Sequence, residues 1–395
     1  MNPYKRNYLI YFYMYFVIQM VYIYVNVYLP IYFFNILKVN RIELAFVQIF
    51  SYSAFFIRPL IAIYFDKEKY AIKTVIILSS VGIFVSFIFF IFNLNLLIIF
   101  GIFLGINFAC ASIMRVAIEK IIIVNSPNDR TKNKNALSIQ LGAVFGALFP
   151  NIIFIIIFTD LYSLPTWNQF FLIGILSLFP IVIFGFLLKI TTEPINEMKN
   201  TPENRIDKRR IILLSIILFL FYAEGIYEYP AEPWILNKIG EENFSLLAIL
   251  IAITIVINAL GLILAGFYTD KFDRIKVLTF SSLAYGILLI IAPFTDVFIF
   301  FILFVIMQIF SGFIVVNLIA FMIEFSQKRA VYFQLMTASA ILAIVIFVPL
   351  GTYLSVFIAT ELIFVAAGVM KLLSIIPILL LRERNQKTLS PKNQF

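Results

Sequence analysis

The sequence predicts an all-α integral membrane protein: twelve transmembrane helices in two pseudo-symmetric six-helix bundles. Three observations predict it. Of the 395 residues, 63% are hydrophobic and 13% charged, against about 45–50% and about 25% in a soluble domain. Apolar runs of about 20 residues, the length a helix needs to cross the hydrocarbon core, recur along nearly the whole chain. One long polar segment, "TTEPINEMKNTPENRIDKRR", residues 191–210, divides these runs into two sets of similar length.

The apolar runs place spans near 8–36, 42–64, 74–92, 96–119, 136–158, 169–189, 211–230, 244–267, 277–294, 297–324, 332–357 and 361–381. The domains are then 1–190, an amino-terminal bundle; 191–210, a linker; and 211–395, a carboxy-terminal bundle with a short tail. The linker, with its Pro, Asn and mixed charges, reads as solvated. The first apolar run is too long for the core of a cleaved signal peptide. An even number of spans puts both termini on one side. Placing the amino terminus in the cytoplasm puts 24 of the 30 Lys and Arg inside, as the positive-inside rule requires. The expected location is the cell membrane, multi-pass, with both termini cytoplasmic.

The formal charge of +9 does not point to nucleic acid, because the basic residues lie in short gaps between apolar runs. The single cysteine, Cys110, excludes an intramolecular disulfide, and the absence of histidine removes imidazole metal ligation and a histidine proton switch. No phosphate-binding loop occurs, so a nucleotide-fuelled pump is not expected. Neither a Ser/His/Asp constellation nor a metal cluster is present, so no enzyme, metal or cofactor is expected.

The two halves carry a repeat. "RPLIAIYFDKEKYAIK" spans 58–73 and "GFYTDKFDRIKV" spans 266–277; each sets Asp-Lys four residues after a small residue, Ala62 before Asp66-Lys67 and Gly266 before Asp270-Lys271. They follow the second span of each half. These loops resemble the signature loop of the major facilitator superfamily, small-x-x-x-Asp-Arg/Lys-x-Gly-Arg-Arg. Arg58-Pro59-Leu60 resembles the family's lead-in to it. Glu119 before Arg130, Glu324 before Arg329, and the small-residue spacing of "GAVFGALFP" (142–150) extend the resemblance over essentially the whole chain. The first loop departs from the pattern at Lys69, Tyr70 and Ala71. The second departs at Asp273 but keeps Arg274 and Lys276. The resemblance implies a cytoplasmic latch that gates the protein, with Asp66, Lys67, Asp270, Lys271, Arg274, Glu119, Glu324 and Arg115 as its members. The residues agree with this: a carboxylate is stabilised at a helix amino terminus, and Lys67 and Lys271 could pair with Glu119 and Glu324. An ordinary solvated turn is the alternative.

Polar residues inside spans mark the bundle interior or a water-filled cavity. Tyr15, Gln19, Tyr22 and Asn26 fall on one face of the first span by their spacing of 4, 3 and 4. Abundant tyrosines in interfacial belts are the alternative reading of that face. Asn107 in the fourth span, Gln140 and Asn151 in the fifth, and Thr254 and Asn258 in the eighth add to the candidate lining, with Gln308 in the tenth. Arg115 is expected to pair with Glu119 one turn on. Arg58 could snorkel to the cytoplasmic surface. Lys371, mid-way along the last span, is either a structural partner for a buried carboxylate or functional.

The seventh span, "YAEGIYEYPAEPWIL" (222–236), holds three acids four apart. Counted from Arg210 at about 1.5 Å per residue, Glu224 lies inside the membrane. Glu228 then lies near the outer boundary, as a candidate entrance and binding residue, and Glu232 is wet. Gly225, Pro230 and Pro233 are expected to weaken the helix, which is tolerated where a helix lines a cavity. Glu224 can therefore bind a proton or cation and release it after a conformational change. The alternatives are a permanently neutral glutamic acid or a pair with Lys371.

These readings combine into a secondary active transporter of a small solute, working by alternating access with protons as the driver. Its expected partners are a small-molecule substrate, protons and membrane lipid, not nucleic acid, and it is expected to act as a monomer. A non-transporting receptor or a lipid-moving protein on the same fold is the competing reading.

Overall fold

The computed structural model describes residues 3–67, 72–124, 129–188, 208–268, 273–325 and 330–381, with side chains omitted near several of these ends. Among the described residues every regular element is helical. Twelve helices there are long and apolar enough to cross a membrane: Tyr8–Ile36, Arg41–Phe65, Ile72–Phe92, Leu97–Ile121, Ser138–Ile157, Leu164–Leu187, Lys208–Ile239, Glu241–Ala265, Arg274–Phe294, Val297–Met322, Val331–Leu354 and Thr360–Leu381. Two ends differ from expectation. The sixth span starts at Leu164, not near 169, because the Ser163 side chain caps the Thr166 N–H and Pro165 is suited to a first turn. The seventh runs on to Ile239, because Pro230 and Pro233 are carried inside the helix Gly225–Ile239.

The chain divides into two compact units. Unit 1 comprises Met1–Asn204 with Glu232–Ala252, and unit 2 comprises Arg205–Ala231 with Ile253–Phe395. The end of the seventh span and the start of the eighth thus belong with the first six. Most of the 191–210 linker lies outside the described residues.

In unit 1 the first span packs along the fifth. Gly142 and Gly146 allow it, since a Cβ on either would overlap the carbonyl oxygens of Phe12 and Phe16. Past Ile23 the first span widens into π-helical turns at Tyr24–Tyr28 and Tyr32–Ile36, on either side of Pro30. Proline offers no N–H to the Asn26 carbonyl and crowds it, so the ladder re-forms at the wider spacing. The widening turns Tyr24, Tyr28 and Tyr32 into a buried aromatic cluster with Phe154, Trp167, Phe170 and Phe171. The polar tips are satisfied: Tyr24 donates to the Phe170 carbonyl at 3.1 Å, Tyr28 to Asn151 Oδ1 at 2.7 Å, and Trp167 Nε1 to the Leu161 carbonyl at 2.7 Å. Each aromatic contact adds about 0.5–1.5 kcal/mol beyond area burial.

The turn at Glu241–Asn243 also belongs to unit 1. Asn35 Nδ2 donates to Glu241 Oε1 at 3.1 Å, and the Tyr162 hydroxyl donates to the other oxygen. Phe244 meets Phe154 edge-on.

In unit 2 the seventh span packs on the eleventh, and the ninth on the tenth and twelfth. Gly351 lies against the Ile226 carbonyl so closely that a Cβ would overlap it. That carbonyl is the one Pro230 leaves without an N–H, so two sequence features meet at one contact.

Candidate functional site

The seventh span is two helices, Lys208–Tyr222 and Gly225–Ile239, joined at Ala223–Glu224. The break falls at Glu224, one residue before Gly225, and not at the prolines. There the Glu224 N–H reaches back only to Phe221 O at 3.5 Å, and Tyr227 N–H donates to Glu224 O at 3.0 Å. The interruption turns the Glu224 side chain toward the last span. Lys371 Nζ lies 2.9 Å from Glu224 Oε2; the lysine is fully buried and the glutamate 21% exposed. The ammonium is also caged by rings, 2.9 Å from the Phe221 centroid and 4.8 Å from that of Tyr285. Tyr285 and Tyr227 hydroxyls are 3.4 Å apart, and Tyr227 stacks on Phe364. A cation over an aromatic face gains electrostatic stabilisation, which offsets part of the cost of removing Lys371 from water.

Glu232, expected to be wet, is half-buried, as is Glu228; along the helix axis Glu228 lies about 16 Å from the end of the span at Ile239.

Unit 1 holds a second charged cluster. Arg115 Nε donates to Glu119 Oε1 at 3.2 Å, the i,i+4 pair expected from sequence. The Tyr15 hydroxyl donates to the same oxygen at 3.3 Å, and the Arg115 guanidinium lies 5.8 Å from the Tyr15 ring centroid. Arg58 does not snorkel. Its Nε donates to Ser112 Oγ at 3.2 Å and its guanidinium covers Phe55 at 5.3 Å.

The other candidate residues are dispersed. On the first span Gln19 and Tyr22 are half-buried, while Asn26, inside the π-helical turn, is buried and accepts from Tyr52. Asn107 is fully buried and donates to Ile83 O at 2.9 Å and Ser86 Oγ at 3.0 Å. It ties the third span to the fourth and does not join Tyr15. Gln140 is exposed. Asn258 reaches Gln308 O at 3.3 Å and its Oε1 at 3.4 Å, tying the eighth span to the tenth.

Of the latch residues, Arg274 pairs with Glu324 at 3.6 Å, in the place proposed for Lys271. Asp270 and Lys271 lie outside the described residues. Asp66 and Lys67 close the helix Ile57–Lys67, and their side chains are outside the description. Asp273, which departs from the family pattern, caps the ninth span by accepting from Ile275 N–H at 3.0 Å. Sequence reasoning missed Phe221, Tyr227 and Tyr285, whose only signal was aromatic character amid aliphatic runs. It also missed Gln48, 2% exposed, one turn from Tyr52 on the second span.

A family model described as Major Facilitator Superfamily matches residues 213–395. No curated protein matches the sequence. Among solved structures, the nucleoside transporter NupG is similar at TM-score 0.71 and 13% identity, covering 97% of this chain and 100% of that one. A D-xylose-proton symporter is similar at TM-score 0.69 and 13% identity, covering 95% of each chain. A variant of the E. coli fucose:proton symporter FucP is similar at TM-score 0.62 and 15% identity, covering 96% of this chain and 98% of that one. At such identities the likeness speaks for the fold, and the family model speaks for descent through the carboxy-terminal half. The chain thus has the twelve-helix fold of these transporters, and its residues 213–395 match the Major Facilitator Superfamily model.

Proposed function

We propose that the protein is a secondary active transporter of a small solute, coupled to protons through Glu224. The observation that carries the reading is the Glu224–Lys371 pair at the break of the seventh span. A buried pair holds while Glu224 is charged. Protonating Glu224 leaves Lys371 without its counter-charge in a dry site, which is costly, and at the break beside it the backbone ladder is reduced to i→i−3 bonds. Proton binding can thereby bias one conformation over another. Two proteins of similar fold are proton symporters by name, which supports the choice of driver.

In this reading Tyr15, Gln19, Tyr22 and Asn26 are the solute-binding residues of unit 1, and Glu228 is a candidate entrance residue of unit 2. The Arg115–Glu119 and Arg274–Glu324 pairs, with Asp66, Lys67, Asp270 and Lys271, belong to cytoplasmic latches that exchange partners between states. Both termini lie in the cytoplasm, and the protein resides in the cell membrane. The test is a panel of candidate solutes in proteoliposomes under an imposed pH gradient. At least one solute accumulates with the gradient and stops accumulating when a protonophore collapses it. Equal uptake with and without the gradient overturns proton coupling.

A further inference from the structure

The cluster in unit 1 joins three spans: Arg58 on the second reaches Ser112 on the fourth, and Arg115 and Glu119 on the fourth meet Tyr15 on the first. Charged side chains within membrane-spanning helices face a bundle interior or a water-filled cavity. Arg115 is 43% exposed and Glu119 26%, so the charged pair is reachable, with the buried Tyr15 beneath it.

A guanidinium carries five N–H donors in a rigid fork that matches carboxylate and phosphate. Here each fork is held by its Nε, one on Ser112 and one on Glu119, and by an aromatic face beneath it. Ser112, which holds Arg58, lies one turn before Arg115 on the same helix, so the two guanidiniums are neighbours. One oxygen of the Glu119 carboxylate accepts from both Arg115 and Tyr15. The protein's own carboxylate thus occupies a site whose donors suit an anion.

Building on the transporter reading, we propose that Arg58, Arg115 and Tyr15 bind the anionic group of a small carboxylate- or phosphate-bearing solute, and that Glu119 is the internal anion it displaces. A proton carried with a monoanionic solute cancels its charge, so for such a solute the two sites together give electroneutral symport.

The test is the thermal stability of the purified protein, titrated with acetate, succinate and inorganic phosphate. Chloride at equal ionic strength and the neutral solutes D-xylose and uridine serve as controls. One or more of the three anions raises the melting temperature saturably, whereas the controls do not. Half-saturation rises about tenfold or more in R58Q and R115Q, the loss expected for a charge-assisted hydrogen bond. It falls in E119Q, because the competing carboxylate is gone; a purely structural Glu119 predicts no such gain. R115K, which keeps the charge without the fork, lies between wild type and R115Q and serves if R115Q does not fold. Three results overturn the proposal: no saturable anion effect, loss of the effect in E119Q as in the arginine variants, or a neutral solute that stabilises equally in wild type and R58Q. Driven uptake of a neutral solute unaltered in R58Q overturns the anion class and leaves the transporter reading standing. Saturable anion binding without any driven uptake counts against the transporter reading alone.

Discussion

In unit 2 one ammonium meets one carboxylate inside an aromatic cage, with Lys371 fully buried. In unit 1 the partly exposed Arg115 and Glu119 meet a buried phenol, Tyr15, with Arg58 close by on Ser112. The same residue chemistry therefore has different consequences. Where water is excluded, a charge keeps its partner or loses its charge, so the Glu224–Lys371 pair acts as a unit that one proton can upset. Where water reaches, partners can be exchanged at low cost, which suits a ligand site or a latch.

Breaking each cluster from one side makes the contrast measurable. The largest loss is expected for Glu224→Gln, which strands the buried Lys371. Removing one partner of a buried pair costs about 3–5 kcal/mol, and denaturation in detergent should place this variant toward the upper end. Lys371→Met strands Glu224 instead and costs less, because that carboxylate is partly exposed. The double variant Glu224→Gln/Lys371→Met should recover most of the stability, since a buried pair is often replaceable by neutral groups. Stability losses that simply add in the double variant would mean that the two residues do not act as a pair.

Next in size is Gly351→Ala, which forces the seventh and eleventh spans apart at the Ile226 carbonyl. Overpacking of this kind costs about 1–3 kcal/mol. Gly146→Ala, against the Phe16 carbonyl in unit 1, should cost a similar amount. A clear inequality would show that one unit relaxes more readily than the other.

Arg115→Gln should change stability by at most about 1 kcal/mol, as half-exposed pairs do, while impairing transport. Arg274→Gln is expected to be smallest, because both it and Glu324 are well exposed. Its effect should shrink further as salt is raised.

The twelve spans were legible because about 20 apolar residues in succession allow few alternatives to a crossing helix. The Arg115–Glu119 pair was legible because both residues lie on one helix, where spacing fixes neighbours. A latch around Asp270 is only what a resemblance implies, and Asp270 and Lys271 lie outside the described residues. The Lys371–Glu224 contact remained one alternative among several, since it joins two helices far apart in sequence. The cage around it was invisible for the same reason: Tyr285 has no partner on its own helix that would mark it. The sequence misled where backbone continuity mattered. Of the three residues expected to weaken the seventh span, Gly225 stands beside the break at Glu224, whereas Pro230 and Pro233 are carried within the helix. Asn107 looked like a cavity residue because a buried amide and a wet one read alike in a single chain of letters; its partners sit on the third span.

The central claim is that Glu224 carries the coupling proton. Its most direct test is to compare Glu224→Gln/Lys371→Met with wild type in proteoliposomes, using a solute that the wild type accumulates. The account predicts that the double variant still exchanges labelled for unlabelled solute at equilibrium but no longer accumulates it against a gradient when a pH difference is imposed. Accumulation at the wild-type level would contradict it.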